Sequence, residues 1–201
     1  MIKEFNVLIT GVGGQGVILM SDLLGRAAVK DGLNVRGSEV LGMAVRGGSV
    51  SSTIRIGSEA YGPLIPAGKC HLLIGMEPAE ALRNIACLSS SSSIILNLRQ
   101  LVPFTVFQGE SRYPGIDEIL EKLGKVSSQV IGLDAVQLAE EAGNPITANI
   151  VMLGASFGNS QIPIKLETIK TVIREHFPAK LAPVNMKAFD LGYQVCQQAL
   201  K

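Results

Sequence analysis

Charge is scarce in this chain. Only 17 % of its 201 residues are Asp, Glu, Lys or Arg and the formal net charge is +1, where soluble proteins average about 25 % charged residues. With 47 % hydrophobic residues, this is the composition of a chain that hides surface against a partner. The near-neutral balance gives no electrostatic ground for nucleic acid or an anionic membrane. Cys70, Cys87 and Cys196 have the spacing of no zinc site, iron–sulfur cluster or Cys-x-x-Cys redox pair, and their odd number suits a reducing compartment. No apolar run approaches the roughly 18 residues of a membrane span. The start, Met1 to Asn6, lacks a signal-peptide layout, so a cytoplasmic protein is expected. No Ser–His–Asp set, paired catalytic carboxylates or metal cluster can be assembled. A Gly-Asp-Gly segment followed by Asn, of the kind that holds thiamine diphosphate through magnesium, is absent too. The chain lacks the equipment of a complete catalyst.

What it does have is a glycine loop in a telling place. Residues 5–10 read as a short, buried parallel strand. Gly11-Val12-Gly13-Gly14-Gln15-Gly16 follows, and residues 16–31 read as a helix whose apolar side is Val17, Met20, Leu23, Leu24, Ala27 and Ala28. Gly11, Gly13 and Gly16 satisfy Gly-x-Gly-x-x-Gly between strand and helix. In such a loop Gly11 permits a tight turn, Gly13 lets a phosphate approach the backbone, and Gly16 brings helix and strand together. The helix N-terminus then offers free N–H groups. Three uses stay open: dinucleotide binding, another phosphate ligand, or close packing with no ligand. The dinucleotide code also needs an acid about 20 residues on; Glu39 falls slightly too late for it. Gln15 at the loop apex is outside that code and is free to donate to a ligand or a neighbouring subunit.

The remaining pattern alternates strands with helices. Residues 34–38 read as a strand, 39–49 as a glycine-rich functional loop, and 50–56 as a half-buried strand whose alternation suits antiparallel pairing, with a partner around 60–64. Residues 71–75 form another buried strand, and Pro78 opens a helix. The serines at 89–93 lead into a strand at 94–98. Residues 129–133 form a further strand, and Asp134 caps a helix that ends at Gly143. Residues 146–157 read as a helix buried all round, 164–177 as an amphipathic one, and Met186, Phe189, Tyr193, Cys196 and Leu200 mark a last helix. The expected fold is a three-layer α/β, Rossmann-like domain spanning 1–201, with a mixed, mostly parallel sheet.

Few other residues carry chemistry. Arg46, beside Gly47 and Gly48 in the second glycine-rich loop, either clamps a phosphate or carboxylate or is a solvated or interface arginine. His71 reads as structural and His176 as surface. Glu77 supports the N-terminus of the following helix. Asn97 ends a strand and faces the same crevice, and Thr147 and Asn149 either reach a partner or satisfy local backbone.

The Gly-Gly-Gln-Gly loop together with Ser38-Glu39, Gly42-Met43-Ala44 and Arg46-Gly47-Gly48-Ser49-Val50 resembles the gamma-type module of 2-oxoacid:ferredoxin oxidoreductases. Within that family it is most similar to the small, beta-type subunits that act with aryl pyruvates such as indolepyruvate. Tyr61 to Pro66, Glu77 to Arg83, Asn144-Pro145, Leu153-Gly154-Ala155 and Asn185 to Phe189 extend the resemblance over essentially the whole chain. Leu41 and Val45 depart from the histidine and glutamine expected in close relatives. The resemblance implies oxidative decarboxylation of a 2-oxoacid to an acyl-coenzyme A, with electrons passed to ferredoxin. Coenzyme A is then a co-substrate, and thiamine diphosphate, magnesium and [4Fe-4S] clusters belong to a larger alpha subunit. Gly13, Gly14, Gln15, Gly16 and Arg46 would contact an anion or the partner, without covalent chemistry. Open alternatives are a gamma subunit acting on another 2-oxoacid such as pyruvate, and a free-standing dinucleotide-binding reductase.

Overall fold

Short apolar runs that end in glycine, each followed by a helix with one apolar side, can bury both faces of a sheet only as a layered α/β structure. The computed structural model of the chain describes residues 2–44, 46–109, 111–159 and 161–201. In chain order the elements are β1 (Phe5–Val12), α1 (Val17–Lys30), β2 (Val35–Leu41), β3 (Ser49–Ile56), β4 (Leu72–Gly75), α2 (Pro78–Arg83), β5 (Ser93–Asn97), α3 (Phe104–Phe107), α4 (Ile116–Val126), β6 (Gln129–Leu133), α5 (Ala135–Ala142), α6 (Ala148–Gly158), α7 (Leu166–His176) and α8 (Ala182–Ala199). The sheet order is β2-β3-β1-β4-β5-β6. The β1, β4, β5 and β6 strands run parallel, whereas β3 is antiparallel to both β1 and β2.

Alternation along β1 divides the core. Val7 and Ile9 join the larger cluster with α1, α5, α6, α7 and α8. Leu8 joins the smaller one with Leu73, Ile94 and Leu96 of the sheet, Ala81 of α2, and Ile119 and Leu123 of α4. The three-layer expectation holds. Two expectations do not. No strand forms at 60–64, because both edges of β3 are already taken, by β1 and by β2. The 39–49 loop is shorter than expected, since β2 runs on to Leu41, opposite Val50.

Segment 60–64 is instead held by Arg55. Its guanidinium donates to the carbonyls of Gly62 (2.8 Å) and Leu64 (3.1 Å), to Asn6 Oδ1 (3.1 Å) and to the Glu4 carboxylate. Hydrogen bonds from Asn6 and from Arg55 hold the Glu4 carboxyl below its usual range. Beside this network His71 stacks on Phe5, and its Nδ1 accepts the Asn6 backbone N–H at 2.9 Å. His71 is thus structural, as the sequence reading has it.

The tightest packing lies between α6 and α8. A Cβ added at Gly154 would stand 2.0 Å from the Phe189 carbonyl oxygen, and one at Gly192 would stand 1.9 Å from the Val151 carbonyl oxygen. The two helices meet backbone to backbone, and neither glycine has room for a methyl group.

Two kinds of outcome are expected, one of packing and one of pH. Gly154→Ala should destabilise the fold by about 2 kcal/mol or more through overpacking, read from the urea unfolding midpoint. Gly25→Ala, on an open face of α1 with nothing within 4 Å, should be neutral or gain up to about 1 kcal/mol. The second concerns pH. Burial lowers the His71 pKa, and the ring must stay neutral to accept the Asn6 N–H. The unfolded chain protonates near pH 6.5 and so binds more protons than the folded chain just below that value. Stability should therefore fall as pH drops below about 6.5, until the folded His71 also protonates. Unfolding midpoints taken between pH 7.5 and 5.5 should show this slope, and His71→Gln should flatten it.

Candidate functional site

The parallel strands β1, β4, β5 and β6 deliver their C-terminal ends to one edge of the sheet, where α/β proteins bind ligands. Both glycine-rich loops arrive there and are joined. Gly13 N–H donates to the Gly48 carbonyl (2.8 Å), and Gly47 N–H donates to the Gly13 carbonyl (3.2 Å). These bonds continue the β1–β3 ladder past the strand ends. Gly13 therefore spends both its polar groups on the second loop.

Gln15 is also turned inward. Its Oε1 accepts the Val12 N–H at 2.8 Å and its Nε2 donates to the Met76 carbonyl at 3.0 Å. Asn97, buried at the end of β5, donates to the same carbonyl at 3.0 Å, while its Oδ1 accepts the Ala135 N–H at 3.1 Å. The gap between the ends of β1 and β4 is thus filled by the chain's own amides. Gly16 has a left-handed φ of 78° and lies against the Asn149 side chain.

Glu39 lies elsewhere. It sits in β2, exposed on the sheet edge and opposite Ser52, and β3 separates it from β1. In a dinucleotide fold the acid ends a strand parallel and adjacent to the first, a neighbour β1 does not have on this side.

The first turn of α2 holds the lips of the site. Glu77 is the α2 N-cap: its Oε2 accepts the Glu80 N–H at 3.0 Å, and its Oε1 accepts from the Leu101 N–H (3.3 Å) and the Tyr113 hydroxyl. Burial, reinforced by Glu77, raises the Tyr113 pKa, so the phenol stays a donor. Glu80, also buried, accepts from Ser49 Oγ at 2.6 Å. One carboxylate therefore ties down Leu101 and Tyr113, and the other ties down Ser49 at the start of β3.

Three openings follow. A cavity of about 500 Å³ has mostly apolar walls, Val12, Val17, Ile18, Leu41, Ala44 and Val50. A second, of about 490 Å³, lies between Arg46, Gly47 and the Leu101 to Phe104 stretch. A third, of about 320 Å³, lies on the far side of the α1 N-terminus, beside Arg99 and Asn149. Arg46 is exposed and, among the described residues, has no ion-pair partner.

Around these openings large apolar side chains face outward: Met43 fully, with Leu41, Leu101, Phe104, Phe107 and Ile146 largely exposed. Monomeric proteins seldom leave such a cluster bare. The sequence reading missed Arg99, Tyr113 and the phenylalanines of α3. Their signal was a stretch, 99–115, with apolar residues of no regular period around Pro103. The departure at Leu41 lines the first cavity; the one at Val45 lies outside the described residues. Thr147 and Asn144 satisfy local backbone, and His176 is at the surface.

The sequence model of the family described as pyruvate ferredoxin/flavodoxin oxidoreductase matches residues 6–195. The indolepyruvate oxidoreductase subunit IorB of Pyrococcus horikoshii is 42 % identical over 200 residues, 99 % of each chain. Among solved structures, the keto/oxoacid ferredoxin oxidoreductase gamma subunit of Geobacter sulfurreducens superposes with a TM-score of 0.70 at 22 % identity, over 96 % of this chain and 99 % of that one. The 2-oxoglutarate:ferredoxin oxidoreductase of Magnetococcus marinus, solved with 2-oxoglutarate, coenzyme A and succinyl-CoA bound, gives a TM-score of 0.72 at 20 % identity, over 98 % of this chain but 32 % of that one. At those identities the two structures speak for the fold.

Replacing Gln15 by Ala would strand the buried Val12 N–H and remove one donor from Met76. The expected cost is about 1–3 kcal/mol, measured as a lowered urea midpoint. Gln15→Glu should lie between the two, because it can still accept from Val12 but cannot donate.

Proposed function

The chain belongs to the pyruvate ferredoxin/flavodoxin oxidoreductase family, and from that premise we propose that it is the small, beta subunit of an indolepyruvate ferredoxin oxidoreductase. The observation that supports the reading is the 42 % identity, over 99 % of both chains, to a protein named indolepyruvate oxidoreductase subunit IorB. The whole chain is read as one gamma-type domain. The reaction served is the decarboxylation of an aryl pyruvate, with its acyl group passed to coenzyme A and two electrons passed to ferredoxin.

The residues of this chain do not suit the redox and thiamine groups of that reaction. Among the described residues, no three His, Cys, Asp or Glu side chains gather where they could hold a metal ion. A [4Fe-4S] cluster is held by four cysteine thiolates, and the chain has three cysteines, Cys70, Cys87 and Cys196. Thiamine diphosphate, magnesium and [4Fe-4S] are therefore assigned to the alpha subunit, and no chemical step is routed through this chain. Its contribution is shape and charge. The exposed apolar residues from Leu41 to Met43 and from Leu101 to Phe107 supply the surface that the alpha subunit covers. Arg46, between them, supplies a cation for a phosphate of coenzyme A at the rim, with Gly47 and Gly48 shaping its loop. Gly11, Gly13, Gln15 and Gly16 hold the floor of the site, and Glu39 stands on the β2 edge for partner contact. Among the described residues no helix is long and apolar enough to cross a membrane.

The test is anaerobic co-expression with a candidate alpha subunit and purification through a tag on this chain. Ferredoxin reduction by indolepyruvate should require both chains; activity with pyruvate in its place would move the assignment to another 2-oxoacid. In the assembled complex, Arg46→Ala should raise the KM for coenzyme A about tenfold, roughly 1.4 kcal/mol, with the KM for indolepyruvate unchanged. Unaltered kinetics in a complex of normal composition would reject the role of Arg46.

A further inference from the structure

Helix α1 turns one side to the sheet and leaves the other bare. Val17, Met20, Leu23, Leu24, Ala27 and Ala28 are buried. The outward side carries Ile18, 44 % exposed, and Val29, 62 % exposed, with Asp22, Gly25 and Arg26 between them. At about 100° per residue, Ile18, Asp22, Gly25 and Val29 share an arc of about 60°, and Arg26 stands next to Asp22 on one flank of it. A Cβ added at Gly25 would meet nothing within 4 Å. Alongside this stripe a shallow groove of about 470 Å³ separates α1 from Val35 at the start of β2, with Asp22, Gly25, Val29 and Lys30 in its wall. Val35 pairs through Ile56 with Phe5, so the groove lies toward the end of the sheet opposite the glycine loops. Ile18 stands at the other end of the stripe, where it borders the first cavity.

The order along the stripe is apolar, acidic, small, basic, apolar. Reversed, it is its own complement. A two-fold axis that sets two copies of a helix antiparallel keeps each flank on its own side, so the flank bearing Asp22 and Arg26 meets the same flank of the second copy. With the axis level with Leu24, Asp22 of each copy faces Arg26 of the other. Ile18 of each then reaches Val29 of the other to within one residue's rise, about 1.5 Å, and enters the groove beside Val35. Gly25 stands about 1.5 Å from the axis along the helix, at the place where a side chain would hold the two backbones apart. Within one copy Arg26 pairs with Asp22 at 2.9 Å, and both side chains are well exposed, so the pair by itself stabilises little. Across the axis the same four charges alternate in sign, and no like charges are opposed.

We infer that the outward face of α1 is a contact between two copies of this chain, antiparallel and two-fold, with Gly25 at its centre. One helix pair buries less than the roughly 1,600 Å² of a standard interface, so the dimer is weak and depends on concentration. The contact does not rest on the oxidoreductase reading, and it leaves the Leu101 to Phe107 rim free for an alpha subunit.

Sedimentation equilibrium of the full-length chain through the micromolar range tests it. The parent chain should associate reversibly to a dimer and no further. Asp22→Arg, which opposes arginines across the axis, should weaken the dimer at least tenfold, and so should Arg26→Asp. The two reversals in one chain should restore the parent affinity, a rescue that damage to the fold would not give. Gly25→Glu should also abolish the dimer while leaving the urea unfolding midpoint of the monomer near that of the parent. A chain that stays monomeric throughout would overturn the proposal. A dimer indifferent to all of these substitutions would overturn it too, and would place the contact on another face. If the chain is monomeric alone and Asp22→Arg reduces capture of the alpha subunit, the face belongs to that subunit and the proposal fails.

Discussion

The ladder between β1 and β3 organises the business end of the molecule because it does not stop where the strands stop. Antiparallel pairing carries on from Val12 opposite Ser49 into the exchange of hydrogen bonds between Gly13 and the Gly47–Gly48 segment. Two glycine-rich loops that are more than 30 residues apart in sequence become one surface. The same ladder keeps β2, with Glu39, one strand away from β1. A single antiparallel insertion therefore both builds the shared floor and dismantles the crevice that a dinucleotide would use.

Everything above that floor is held by buried polar groups. Glu77 and Glu80 sit on one turn of α2 and reach in different directions, to Tyr113 and Leu101 on one side and to Ser49 on the other. Gln15 and Asn97 converge on one carbonyl, that of Met76. Buried polar groups with all their partners rigidify a structure, because losing one partner leaves an expensive orphan. That rigidity lets the rim carry so much bare hydrophobic surface without collapsing. Phe104, Phe107, Met43 and Ile146 remain outward on segments anchored from beneath. The scarcity of charge has its counterpart here, as a face built to be covered.

Much of the fold was legible in the sequence. The β1–α1 unit, the α2 start at Pro78, the Asp134 cap and the Gly143 stop all follow from local rules about propensity and capping, and all stand where those rules place them. The strand expected at 60–64 failed because alternation and turn residues say that a strand can form, but not whether an edge is free to receive it. Helix α4 went unread although Ile116, Ile119 and Leu123 have helical spacing with Asp117 and Glu118 in the first turn. Of the candidate site, the sequence marks the glycine loop and Arg46 as candidates but not Tyr113, since nothing local marks a residue whose partner, Glu77, lies tens of positions away.

The sequence by itself determined the class of fold and the family, because these depend on periodicity and on motifs a few residues long. Only the tertiary structure decided what the motif residues do. Gln15 has the chemistry to greet a ligand and instead seals a gap, because Met76 is delivered next to it by a parallel strand. Asn149 has the chemistry of a helix-start residue, and its amide comes to lie against the α1 start because Gly16 has no Cβ to keep it out. A side chain's hydrogen-bonding capacity is written in its residue type, but the partner that uses it is chosen by strand order and helix packing.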